Sequence, residues 1–300
     1  MTKRNHGRDI HGILLLDKRL GVSSNRALQE VKRLYNANKA GHTGSLDPLA
    51  TGLLPICLGA ATKISGLMLN DHKRYQVSIQ LGIATDTGDL EGNVIATKPV
   101  PALTDADLQA VLKRFTGAIE QIPPMYSALK QNGKKLYELA RAGRTVERAA
   151  RSITIFEINC LKYHEDTLEL EVHCSKGTYI RTLSEDIGQA LGTCATVKAL
   201  RRINTGGFRI EQAISYDDLA NLNEQALLGK LLAVDAPLSA LPAVNLNTQE
   251  AASVKQGQQL KLNNEVQGTV RMYCANEFLG LGEMRLDGKL APKKIFCLTS

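Results

Sequence analysis

The sequence predicts an α+β fold with a smaller β-rich unit at its C-terminal end. Three observations point there. Segments with a two-residue apolar period pair locally, as hairpins. Helical segments fall between them at irregular intervals. The regular strand–helix–strand rhythm of a doubly wound sheet is missing.

Gly12 to Asp17 (GILLLD) is a short apolar run that predicts a buried strand. Ser23 or Ser24 then offers an N-cap, and Ala27, Leu28, Val31 and Leu34 follow at helical spacing. Gly41 to Gly59 has no clean period and holds four glycines and two prolines, which predicts a shaped loop and no regular element. Tyr75, Val77, Ile79 and Leu81 alternate with polar residues, as in a half-buried strand with Tyr75 on its apolar face. A turn-rich stretch runs from Thr85 to Asn93. Thr104, with Asp107 three residues on, caps a helix bearing Leu108, Val111, Leu112 and Phe115. Ile153, Ile155 and Ile158 precede a turn at His164-Glu165-Asp166. Leu168, Leu170, Val172 and Cys174 then complete a hairpin. A helix follows from about Tyr179, with Leu183, Ile187 and Leu191 on one stripe, and ends at Gly192. Pro237 to Pro242 (PLSALP) reads as a linker. The main domain is therefore placed at 1–236, and a small all-β domain at 237–300.

The chain has 300 residues, 43% hydrophobic and 22% charged, a balance that supports a sizeable core. No apolar run reaches about eighteen residues, so no membrane span is expected. Ile13 to Leu16 is too short for a signal-peptide core, and a cytoplasmic protein is expected. Cysteines stand at positions 57, 160, 174, 194, 274 and 297 without a C-x-x-C pair. They are read as buried free thiols, not as metal ligands or disulfides. The net charge of +7 suits a polyanionic partner. With no Trp and 4% aromatic residues, a broad base-stacking platform is not expected.

Asp47 stands out in G-H-T-G-S-L-D-P-L-A-T-G. Pro48 restricts it to extended backbone, and the flanking glycines allow bends and close approach. Such a loop can present one carboxylate in a fixed direction, as covalent catalysis requires. On these local features alone, an Asx-type turn is the simpler account.

The loop resembles the catalytic loop of the TruB family of tRNA pseudouridine synthases. Four further segments resemble family motifs in the family's order: KRYQVSIQLG around Tyr75, TDTGDLEG from Thr85, QIPPMYSALKQNGKKLYELAR from Gln121, and SKGTYIRTL from Ser175. LRR, Leu200 to Arg202, follows them. One departure is Lys18-Arg19, where the family usually has Lys-Pro; it puts the exit of the first strand in doubt.

The resemblance implies a pseudouridine synthase fold, with a mixed, mainly antiparallel central sheet flanked by helices and loops. It implies isomerisation of the uridine at position 55, in the TΨC loop of tRNA, without a cofactor or metal. Asp47 would be the nucleophile, attacking either C1′ of the ribose or C6 of the uracil. Arg181 would pair with it through a bidentate fork, lowering its pKa by about 1–3 units. Tyr75 would pack on the base and assist proton transfer at C5. Tyr179 and Leu200 would complete the uracil pocket. His42 would enter the tRNA loop from which the base is flipped. Lys18, Lys130, Lys134, Arg141 and Arg202 would touch the RNA backbone. The segment around 121–151 would bind RNA, and the C-terminal PUA-like domain would touch the acceptor stem. A monomer is expected. Two alternatives are a tRNA-folding chaperone, which could accompany catalysis, and a guide-RNA-dependent relative. Asp47, Tyr75 and Arg181 together favour the enzyme.

Overall fold

The computed structural model describes residues 7–262, 265–296 and 298. Its centre is a ten-stranded sheet. The main path runs Ile214–Ser215, Gly12–Lys18, Ala50–Leu58, Ala195–Thr205, Lys73–Leu81, Thr167–Cys174, Arg151–His164 and Gly117–Gln121. Ala40–His42 adds to Ala50–Leu58, and Phe208–Arg209 to Ala195–Thr205. Two pairings are parallel: Gly12–Lys18 with Ile214–Ser215, and Ala195–Thr205 with Ala50–Leu58. The rest of this sheet is antiparallel, so it is mixed and mainly antiparallel.

Alternation fixes the register. Tyr75, Val77, Ile79 and Leu81 all face the core, and Tyr75 lies opposite Val172 on one side and Arg202 on the other. Ser23 caps the helix Ser24–Leu34, and Thr104 with Asp107 forms a capping box on Asp105–Arg114. The helix Ile180–Ala190 begins after Tyr179 and buries Ile180, Leu183 and Ile187.

The stretch 41–59 departs from the expected loop. Only its middle is irregular; Ala50–Leu58 is a central strand. Leu54, Ile56 and Leu58 enter the main core, while Leu53 and Cys57 enter a second core on the opposite face. A strand buried on both faces carries no apolar–polar alternation. Gly52 has φ +100, and a Cβ there would stand 2.3 Å from the Arg202 carbonyl oxygen, so the close approach of the neighbouring strand needs glycine.

The C-terminal sheet runs Ala243–Asn245, Gly268–Cys274, Glu277–Met284, Lys289–Ile295 and Leu260–Lys261. It is β-rich but not all-β: Asn247 and Glu250 cap the helix Thr248–Lys255, which buries Ala251 and Val254. The connecting segment is packed and does not hang free. Leu238 joins Phe278, Leu281 and Phe296 against Ile13, Leu15 and Leu53 of the main sheet. Cys57 and Cys174 are buried as expected, but Cys160 is exposed. It lies in the distal half of Arg151–His164, beyond the five residues paired with Gly117–Gln121. Cys297 lies outside the described residues. Among the described residues no helix is long and apolar enough to cross a membrane.

Candidate active site

Asp47 sits in the loop between Ala40–His42 and Ala50–Leu58, and several buried groups fix that loop from behind. Ser24 Oγ accepts from the Leu46 N–H at 2.7 Å and donates to the Leu46 carbonyl at 2.9 Å. The Ala50 N–H donates to the Asp47 carbonyl at 3.1 Å, and the Gly21 N–H to that of Pro48 at 2.9 Å.

Lys18 and Arg202 belong to this support, which corrects their assignment to the RNA backbone. Each is 1% exposed. Lys18 Nζ donates to the carbonyls of Val22 (2.6 Å), Arg19 (3.1 Å) and Pro48 (3.4 Å). Arg202 donates to the carbonyls of Leu53 (2.8 Å) and Gly44 (3.3 Å). A charge held inside by carbonyls is not free for a phosphate. Burial pulls the Lys18 ammonium down to about 8, with the Asp47 carboxylate opposing. Arg19, where the family has proline, is pinned by Glu30 at 3.1 Å and stacks over Tyr216 at 4.8 Å.

A cavity of about 280 Å³ opens over Asp47, and Tyr75, Tyr179, Arg181, Leu200 and Arg202 also line it. Arg181 Nη2 lies 3.0 Å from Asp47 Oδ2. No second nitrogen completes the expected bidentate fork; both terminal nitrogens also serve other acceptors. Nη1 donates to the Thr87 carbonyl and Nη2 to that of Tyr126, each at 2.7 Å, and Nη1 lies 3.8 Å from Asp89 Oδ2. The net pKa direction is also the reverse of the expected one. Burial at the base of the cleft raises the Asp47 carboxyl above its usual value; Arg181 opposes this, Asp89 adds to it and Lys18 opposes it. The carboxylate still presents its open side to the cavity, with 44% of its side chain exposed.

Tyr75 is buried, and burial keeps its phenol neutral against the opposing Arg202. Leu200 pairs with Ala50 on one side and Val77 on the other, at the cavity wall. His42 does not line the cavity. It pairs with Ile56, and its Nδ1 is buried with no hydrogen-bond partner among the described residues. Burial, with Arg202, lowers the pKa of its imidazole. Lys130, Lys134 and Arg141 lie, all exposed, on the segment that leaves the sheet after Gln121 and returns at Arg151; the Arg141 guanidinium lies 5.6 Å from the Tyr137 ring centroid.

Three residues near the cavity were not singled out from the sequence. Asp89 is buried beside Arg181 and accepts from the Thr87 hydroxyl at 2.7 Å. The Thr-x-Asp spacing in its turn was the available signal. Lys73 lines the cavity and donates to the Leu69 carbonyl at 3.0 Å. Gln121 is buried and bonded to Tyr179; no local pattern marks it.

Comparison with known proteins places the fold and the family. A Cbf5 structure, titled "Crystal Structure of a Cbf5-Nop10-Gar1 Complex", aligns at TM-score 0.73 and 25% identity, covering 95% of this chain and 85% of that one. "Structure of H/ACA RNP bound to a substrate RNA containing 2'-deoxyuridine" aligns at TM-score 0.73 and 23% identity, over 99% of this chain and 92% of that one. The fold is that of a pseudouridine synthase. The TruB family pseudouridylate synthase N-terminal domain matches residues 32–180. The tRNA pseudouridylate synthase B C-terminal domain matches 181–239, and the pseudouridine synthase II TruB C-terminal domain matches 242–296. Relatives named tRNA pseudouridine synthase B include those of Actinobacillus pleuropneumoniae serotype 5b (50% identical, 97% of this chain and 98% of that one) and Chromohalobacter salexigens (48%, 98% and 97%). The chain belongs to the TruB family.

Proposed function

We propose that this pseudouridine synthase acts on tRNA and isomerises the uridine at position 55 of the TΨC loop. Asp47 breaks the C1′–N1 bond and the base is rejoined through C5. The observation that carries this reading is the Arg181–Asp47 pair, 3.0 Å apart, facing a cavity that Tyr75 also lines. The names of the relatives support tRNA as the substrate.

The target base must leave its stack to reach Asp47, which lies inside a cleft. His42 enters the space it vacates, and its lowered pKa favours a neutral, flat imidazole for stacking. Ionised Asp47 then attacks C1′, or adds to C6. The C1′–N1 bond breaks, the uracil turns within the pocket, a C1′–C5 bond forms, and the bond to Asp47 breaks to return the free carboxylate. The proton on C5 leaves and N1 ends protonated, so atoms and charge balance with no cofactor. Tyr75, a neutral phenol, packs on the ring and relays the C5 proton. Tyr179 and Leu200 hold the uracil while it is detached. Lys130, Lys134 and Arg141 dock the RNA backbone, and the C-terminal domain meets the acceptor stem. The enzyme acts as a cytoplasmic monomer, and opening the tRNA elbow for flipping gives it an accompanying folding activity.

Incubation with unmodified tRNA, followed by mapping of pseudouridine, tests the reading. Pseudouridine confined to position 55 is expected; modification elsewhere, or none, contradicts it.

A further inference from the structure

We infer that Gln121 is a positioning residue for the isomerisation: its side-chain amide holds the Tyr179 backbone and so sets Arg181 against Asp47. The inference rests on the reading of Asp47 as the reacting carboxylate.

Gln121 ends the strand Gly117–Gln121 and is 3% exposed. Its Nε2 donates to the Tyr179 carbonyl at 3.1 Å, and its Oε1 accepts from the Tyr179 N–H at 2.8 Å. Both ends of one amide thus engage one residue's backbone. Tyr179 is the N-cap of the Arg181 helix, and no side chain of its own caps that helix. The Tyr179 carbonyl also accepts the first helical bond, from the Leu183 N–H at 3.0 Å. The direction in which the helix starts is therefore tied to Gln121, and Arg181 lies two residues on.

Gln121 also pairs with Arg151, where the segment 122–150 leaves and re-enters the sheet. That segment carries Tyr126, whose carbonyl accepts from Arg181. The root of the RNA-facing segment, the Tyr179 side of the cavity and the Arg181 guanidinium thus meet at one amide. Burying an amide is costly unless both ends are satisfied, and an apolar side chain would fill the space without that demand. The amide supplies orientation that packing alone would not.

Gln121→Ala and Gln121→Glu test this in single-turnover reactions on a T-arm RNA. Gln121→Ala should slow pseudouridine formation roughly 10- to 100-fold, the scale of a small misplacement of reacting groups. RNA affinity should stay within about threefold. In the Gln121→Glu variant, a protonated carboxyl offers one O–H donor and one acceptor, matching the two ends of the amide; an ionised one only accepts. The Gln121→Glu rate, relative to the parent at each pH, should therefore recover as pH falls. This recovery also serves if the alanine variant does not fold. A purely structural role would lower the melting temperature yet leave the rate of folded protein and its relative pH profile unchanged. That result, or an alanine variant within about twofold of the parent rate, overturns the inference. A parent that forms no pseudouridine on this RNA contradicts the functional reading, and the inference with it.

Discussion

Arg181 meets Asp47 through one nitrogen, Nη2 at 3.0 Å from Oδ2, while the guanidinium is held mainly by the carbonyls of Thr87 and Tyr126. The positive charge is in place whether or not Asp47 leans on it. In the proposed reaction of Asp47, such fixed charge needs no reorganisation. Arg181→Lys keeps the charge but loses the planar set of donors that spans Asp47 and both carbonyls. Its single-turnover rate should fall by roughly 100-fold, with RNA affinity little changed. A loss below about tenfold would show that charge alone suffices.

The pH dependence follows from burial. Asp47 is raised above the ordinary 3.8 by desolvation, with Arg181 only partly opposing. The proposed nucleophile must be ionised to react, so the rate should drop as pH falls through a value above that of a free aspartate. A single-turnover pH profile reads it, and an inflection at or below the ordinary value would contradict the assignment. The stability sign runs the other way. A carboxyl raised on folding favours the folded state most below its unfolded pKa, and that contribution is lost as pH rises through the folded one. Asp47→Asn should therefore melt no lower than the parent at neutral pH.

Ser24 supports the loop by bonding both backbone groups of Leu46, and both residues are buried. Ser24→Ala leaves the Leu46 N–H without its acceptor, at a cost of about 1–3 kcal/mol. Chemical denaturation should show that loss, and activity should fall as Asp47 loses its fixed direction. Parent-like stability and rate would mean the loop is held elsewhere.

Lys130, Lys134 and Arg141 are all exposed on one segment, so their contribution to RNA binding should appear as salt dependence. Replacing all three with alanine should flatten the plot of log affinity against log salt, by roughly 0.7–0.9 for each phosphate that is no longer neutralised. An unchanged slope would remove this segment from the docking surface.

The sequence carried the half-buried strands well, because one wet face enforces alternation, as from Tyr75 to Leu81. It hid Ala50–Leu58, which separates two cores and has no wet face. Asp47, Tyr75, Tyr179, Arg181 and Leu200 were legible as motif residues, and all five line one cavity. Lys18 and Arg202 were misplaced, because residue type announces a charge but not its burial. Gln121 was invisible. Its role depends on a backbone fifty-eight positions away, and glutamine marks nothing locally.

The most direct test of the account replaces Asp47 with Asn and measures binding and turnover of one T-arm RNA side by side. Binding should stay within about threefold of the parent, since asparagine keeps the shape of the side chain, while pseudouridine does not form. Pseudouridine formed at the parent rate by Asp47→Asn would contradict the assignment of Asp47 as nucleophile.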